Sequence, residues 1–184
     1  MADQKRMHQD IETLRKISEP CAAGTQRPSY TPEYREGVEY MKGRMAEFGL
    51  EVREDTVGNL FGVLRGNDPE APSIISGSHL DSVKCSGAFD GIAGVVCALE
   101  AARMIQESKK PLKHTYEVLG TIGEEGTRFG QVLIGSQFME GSFGEAQLDS
   151  VKGLEDGLTL RETIRNYGLT GDPAGACRRQ DKVK

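Results

Sequence analysis

Between Ser73 and Ile122 the chain reads as a strand, a helix and a second strand, and this succession narrows the possible folds more than any other feature. Ser73 to Ser78 is a short run of small and β-branched residues. Gly91 to Gln106 (GIAGVVCALEAARMIQ) is apolar and rich in small residues at helical spacing, so it can lie close against a sheet. His114 to Ile122 (HTYEVLGTI) returns to strand-type residues. A strand, a crossover helix and a strand form a βαβ unit, so the two strands are expected to be parallel neighbours.

The flanking segments fit an α/β domain. Asp3 to Ser18 carries Met7, Ile11, Leu14 and Ile17 at helical spacing. Thr31-Pro32 suits the N-cap and first position of a second helix, which runs through Val38, Met41 and Met45 to a stop at Gly49. Leu50 to Thr56 and Asn59 to Arg65 read as strands, and Gly66 to Glu70 as a turn. After Gly135 the pattern weakens. Thr159-x-x-Glu162 predicts a capping box opening a short helix to Tyr167, and GDPAGACRRQDKVK reads as a polar tail without a core of its own.

In an open α/β sheet, ligand sites form beyond the carboxyl ends of the parallel strands. The first strand of the unit runs into His79 and Asp81. Asp90 stands just ahead of the helix, and the second strand runs into Gly123-Glu124-Glu125-Gly126. Three segments thus bring imidazole and carboxylate groups to one edge, a ligand set that suits Zn or Mn and also allows Co or Ni. Asp81, two residues from His79, can hold the imidazole in one tautomer. Adjacent glutamates point differently, so one can bind metal while the other faces a water, an arrangement suited to metal-assisted hydrolysis. Each residue also has a simpler explanation. His79 could be an ordinary surface histidine, Asp90 an N-cap, and Glu124-Glu125 a solvated turn.

HLDSV, GAFDGIAGV, EEGTRFG and the IGS that follows, with VGNLFGVLRG ahead of them, resemble the binuclear metal amidohydrolases that include N-carbamoyl-L-amino acid hydrolases and allantoate amidohydrolases. These belong to the wider aminoacylase and zinc-exopeptidase group. The resemblance runs from about Tyr30 to Lys184. It implies a three-layer α/β/α sandwich of the zinc-exopeptidase type, of which residues 1–184 are the N-terminal portion of the catalytic domain. It also implies two divalent metal ions, with His79 on one, Asp90 bridging both, Glu125 on the second, Glu124 as general base and Asp81 orienting His79. A metal-bridging water would attack the ureido carbonyl of a carbamoyl or allantoate-like substrate, releasing ammonia and carbon dioxide. The full-length form is expected to be a homodimer. Cys85-Ser86 replaces the Asn-Gly or Gly-Gly frequent in the family.

Two further metal-binding histidines belong to the family pattern, and the chain has only three histidines in all. His8 and His114 are not placed to serve, and the segment CRRQDKVK resembles the lead-in to the first missing one. The chain is therefore expected to be an incomplete catalytic domain, without the dimerisation and substrate domain. Two alternatives stand beside the hydrolase reading: an inactive fragment that keeps the fold, and a dipeptidase or N-acyl amino acid deacylase of the same group. Cys21, Cys85, Cys97 and Cys177 form no CxxC pair, as expected for free thiols in the cytoplasm. The net charge of −5 with interspersed basic residues argues against a nucleic-acid partner, and no run is apolar enough for a membrane span.

Overall fold

A computed structural model describes residues 1–178 and 183. The expectation attached to CRRQDKVK falls largely on residues 179–182 and 184, outside the described residues. The element order is α1 (Gln4–Lys16), α2 (Pro32–Glu47), β1 (Glu51–Glu54), β2 (Leu60–Leu64), β3 (Ile74–His79), α3 (Ile92–Ser108), β4 (Tyr116–Thr121), α4 (Ile134–Glu140), α5 (Glu145–Ser150), α6 (Leu160–Asn166) and α7 (Pro173–Ala176). The strands form one mixed sheet in the order β1-β2-β4-β3. β1-β2 and β2-β4 are antiparallel, and β3-β4 is parallel, with His79 opposite Thr121. The parallel βαβ unit expected from Ser73–Ile122 is therefore present.

Local chemistry explains the helix starts. Asp3 caps α1 by accepting from the Lys5 and Arg6 amides. Thr31 caps α2 with Pro32 behind it, and Thr159 and Glu162 form a reciprocal capping box at α6. The small residues of α3 do what the sequence implied. A Cβ on Gly94 would come within 2.6 Å of the Ser78 Cβ, so α3 rests on β3 at a distance that a larger residue would not permit.

Alternation along β2 and β4 sorts side chains between two faces. Leu60, Tyr116, Val118 and Ile122 join Leu14, Tyr34, Val38, Met41, Met45, Val95 and Leu99 in the main core beneath the helices. Phe61, Val63 and Leu119 form a smaller cluster on the other face, flanked by Ile75 and by Met139 of α4. There Arg178 donates to both carboxylate oxygens of the buried Glu117, at 2.9 and 2.8 Å. The polar tail, without a core of its own, thus contributes Ala176 to the main core and an ion pair to the sheet. The helices α4, α5 and α7 were not expected either. They run only seven, six and four residues, too short to show helical periodicity. Among the described residues, no helix is long and apolar enough to cross a membrane.

A candidate metal centre at the end of the parallel strands

β3 and β4 deliver His79 and Gly123-Glu124-Glu125 to the same sheet edge. Leu80, just past His79, is held from two sides. Its N–H donates to the Thr121 carbonyl at 3.4 Å, and its carbonyl accepts from Nε of Arg27 at 2.8 Å. Arg27 is fully buried and also donates to the Leu14 and Ile17 carbonyls, both at 2.7 Å, closing the C-terminal end of α1. Burial draws its pKa down, while the nearby Tyr34 and Asp81 oppose that shift.

The loop after β4 is fixed by Asn59 and Asp55. The Asn59 side-chain amide donates to Asp55 (2.8 Å) and to the Gly135 carbonyl (3.1 Å), and its oxygen accepts from the Ile122 N–H (3.2 Å). Asp55 Oδ1 accepts from the amides of Val57, Gly58 and Asn59. Burial raises the Asp55 pKa, and these donors counteract it. Nothing in VGNLFG itself marks a task for Asn59. Its pairing with Ile122 and Gly135 is made across long sequence separations, which local patterns do not reveal.

His79 is 8% exposed, and its Nδ1 lies 2.9 Å from the main-chain carbonyl of Asp81. A carbonyl only accepts, so Nδ1 carries the proton and Nε2 of the neutral ring keeps its lone pair. Nε2 faces Glu125 Oε1 at 3.8 Å and Asp90 Oδ1 at 3.9 Å. Ligand atoms of His79, Glu124 and Glu125 all lie within 4.8 Å of one another. The loop after β4, which turns between Thr121 and Gly126, thus brings one carboxylate oxygen of each glutamate near His79.

Two expectations change. Asp81 does orient His79, but through its backbone carbonyl. Its carboxylate lies 3.9 Å from Nδ1 and instead accepts from the Glu124 N–H (3.2 Å) and the Glu125 N–H (3.1 Å). Two amides converging on one buried carboxylate outcompete the ring for it. Burial pushes the Asp81 pKa up, and these amides with His79 oppose it. Asp90 is not an N-cap. Gly91 occupies that position, and no side chain caps α3, so the Asp90 carboxylate remains available to the cluster.

Gly91 has φ +65, and a Cβ there would lie 2.5 Å from the His79 ring and 2.6 Å from the His79 carbonyl. Only glycine lets the start of α3 pass this close to the imidazole. Gly91→Ala is expected to destabilise the fold by roughly 2–4 kcal/mol and to move the imidazole. Urea unfolding reads the first effect and the His79 ring resonance in NMR reads the second. An unchanged midpoint would show that the contact is not a constraint.

The electrostatics suit a cation. Burial, with Asp90 and Glu124 close by, raises the Glu125 pKa, and His79 only partly offsets this. Among the described residues no lysine or arginine forms an ion pair with Asp90, Glu124 or Glu125, and Asp90 and Glu125 each come within 4 Å of His79. Three carboxylates and one imidazole lone pair without a basic partner fit a divalent metal ion. Arg128 is occupied elsewhere. It donates to the Ser29 and Tyr30 carbonyls and to Asp156, beside a cavity of about 440 Å³ that it lines with Tyr30, Lys84 and Thr127. None of the five candidate residues lines that cavity. Gln131 is half-buried, and its side-chain amide donates to the Val132 carbonyl. His114 binds the Pro72 carbonyl at the far end of β4 and stays away from the cluster.

Residues 59–152, just over half of the chain, match the model of peptidase family M28. The chain belongs to this family. Within it, the similarity is to enzymes that cleave non-peptide C–N bonds. The M28 chain is 40% identical over 168 residues to an N-carbamoyl-L-amino-acid amidohydrolase of Paenarthrobacter aurescens, covering 91% of the chain and 40% of that enzyme. It is 35% identical over 159 residues to the allantoate amidohydrolase of Bacillus subtilis (strain 168), covering 86% of the chain and 38% of the relative. The crystal structure of AtUAH in complex with (S)-hydroxyglycine matches all of this M28 chain and 44% of that one, with a TM-score of 0.93 and 30% identity. The resemblance read from HLDSV, GAFDGIAGV and EEGTRFG, and the α/β fold it implied, are thus borne out. The chain spans about two fifths of the length of the curated relatives it matches.

Proposed function

We propose that this chain carries one half of the active centre of a metal-dependent hydrolase acting on ureido or amide C–N bonds of N-carbamoyl-L-amino acids or allantoate-type compounds. The observation that carries the reading is the convergence of His79 Nε2, Asp90, Glu124 and Glu125 without a basic partner. His79, Asp90 and Glu125 would hold the metal, and Asp90, on the connection between the strands, is the group suited to touch two ions. Zn or Mn fits these ligands, with Co or Ni also compatible. Bound there, divalent cations would lower the pKa of water and polarise the substrate carbonyl.

The protein's own groups then divide the proton work. Glu124 is the base: it takes the proton of the attacking water and returns it to the departing nitrogen. Asp81 fixes both ends of the arrangement, the His79 tautomer through its carbonyl and the Glu124-Glu125 backbone through its carboxylate. Cleavage of the carbamoyl group releases ammonia and carbon dioxide and leaves the amino acid.

Among the described residues only His79 brings an imidazole to the cluster, so we infer that residues outside these 184 complete the ligand set and that the longer form, a cytoplasmic homodimer, turns over substrate. The same count favours a second reading for the 184-residue chain alone, that it binds metal weakly and does not catalyse. Dialysis against a chelator should strip Zn or Mn from the isolated chain; tight retention of two ions would contradict a half-centre. With a longer form supplied with metal, N-carbamoyl amino acids and allantoate are expected to be cleaved faster than N-acetyl amino acids and dipeptides. Faster cleavage of dipeptides would replace this reading with a peptidase.

A further inference from the structure

A second reactive feature lies in the loop between His79 and Asp90. Cys85 is exposed there and holds φ +53, a backbone conformation that costs any residue other than glycine or asparagine about 1 kcal/mol or more. Ala22, Ala23 and Cys21 neighbour its thiol. The Cys21 thiol donates within its own loop to the carbonyls of Ala23 (3.3 Å) and Gly24 (3.5 Å). The two loops are already stitched by backbone hydrogen bonds, Thr25 N–H to Ser86 O (3.0 Å) and Ser86 N–H to Thr25 O (2.8 Å). Contact is close enough that a Cβ on Gly24 would stand 2.2 Å from the Ser86 carbonyl oxygen and 2.9 Å from that of Cys85.

We propose that Cys85 and Cys21 form a thiol modification site, in which Cys85 reacts with low-molecular-weight disulfides and Cys21 resolves the product into a Cys21–Cys85 disulfide. The pair is asymmetric in the way such chemistry needs. The Ala23 amide and the Cys21 thiol, with Ala22 and Lys84 behind them, draw the Cys85 thiol below its ordinary pKa, which favours the nucleophilic thiolate. Partial burial and the neighbouring Cys85 push the Cys21 thiol up, keeping it protonated as a reserve. In the first step the Cys85 thiolate attacks one sulfur of a small disulfide. A bond forms between them, and the other half leaves as a thiolate that takes up the proton Cys85 lost. In the second step Cys21 loses its proton and attacks the Cys85 sulfur, and the remaining half leaves as a thiol. The two protein thiols are oxidised by two electrons, and one small disulfide is reduced to two thiols. The bond ties the loop that carries Asp90 to the loop behind α1.

The test is incubation of the intact chain with excess oxidised glutathione, followed by intact mass and peptide mapping. The expected product has lost two hydrogens, links Cys21 to Cys85, and leaves Cys97 and Cys177 free to be alkylated. Cys21→Ser should stop at a glutathione adduct on Cys85, and Cys85→Ser should leave Cys21 no more modified than Cys97. Adducts spread evenly over the four cysteines, or a Cys85 adduct that persists in the unsubstituted chain, would overturn the proposal. Should either variant fail to fold, labelling of the unsubstituted chain by iodoacetamide at neutral pH decides. Cys85 should react about tenfold faster than Cys97, and equal rates would refute the assignment.

Discussion

Glu124→Gln is expected to lower kcat on an N-carbamoyl amino acid by on the order of 10²–10⁴-fold while the metal stays bound. The amide keeps the size and the hydrogen-bonding reach of the carboxylate but has no site that accepts a proton at neutral pH. His79, Asp90 and Glu125 are untouched, so metal content measured by elemental analysis should match that of the unsubstituted enzyme. The measurement belongs to a longer, active form of the protein. A kcat above one tenth of the original would remove Glu124 from the base role. Loss of metal together with activity would instead make it a ligand, which its place within 4.8 Å of His79 and Glu125 makes the relevant competitor.

Asp81→Ala should have the largest effect on the 184-residue chain itself. Asp81 is 2% exposed, and its carboxylate is the acceptor for two successive amides, those of Glu124 and Glu125. Removing it leaves both donors short of a partner, at about 1–3 kcal/mol each, so a total loss of about 2–6 kcal/mol follows. Urea unfolding with an unchanged m-value would measure it. Because the freed loop carries Glu124 and Glu125, metal affinity should fall about 10–100-fold as well. The His79–carbonyl contact uses backbone and survives the substitution, so loss of affinity would report on the glutamates. A stability change under about 0.5 kcal/mol would mean that the two amides find other partners and that Asp81 is not the brace of this loop.

The sequence disclosed those parts of the structure that local rules govern. Helix starts at Asp3, Thr31 and Thr159 were readable because a cap is decided within four residues. The βαβ unit was readable because handedness and strand adjacency follow from connection length. The close seat of α3 was readable from its glycines and alanines. What escaped was set by contacts between distant segments. The carboxylate of Asp81 was assigned to its neighbour in sequence, His79, when its partners lie more than forty residues on, at Glu124 and Glu125. Arg27 and Asn59 drew no notice, because an isolated arginine or asparagine gives no sign that it will be buried among carbonyls and amides from other elements. The simpler reading of Asp90, as a cap, fell because Gly91 takes that place.

The parallel pairing of β3 with β4 also bears on how the chain reaches its native state. Ile74 and Tyr116, which begin that ladder, are about forty positions apart, so its closure is a long-range event that follows formation of the local α3 turn structure. His79 closes the far end of the same ladder opposite Thr121, Glu125 follows just beyond that strand, and the two meet only once this end of the ladder is paired. The cluster therefore assembles only once that end of the ladder has paired. A cation that prefers the assembled cluster would act as a latch, slowing the reopening of β3 from β4 by binding only the zipped form.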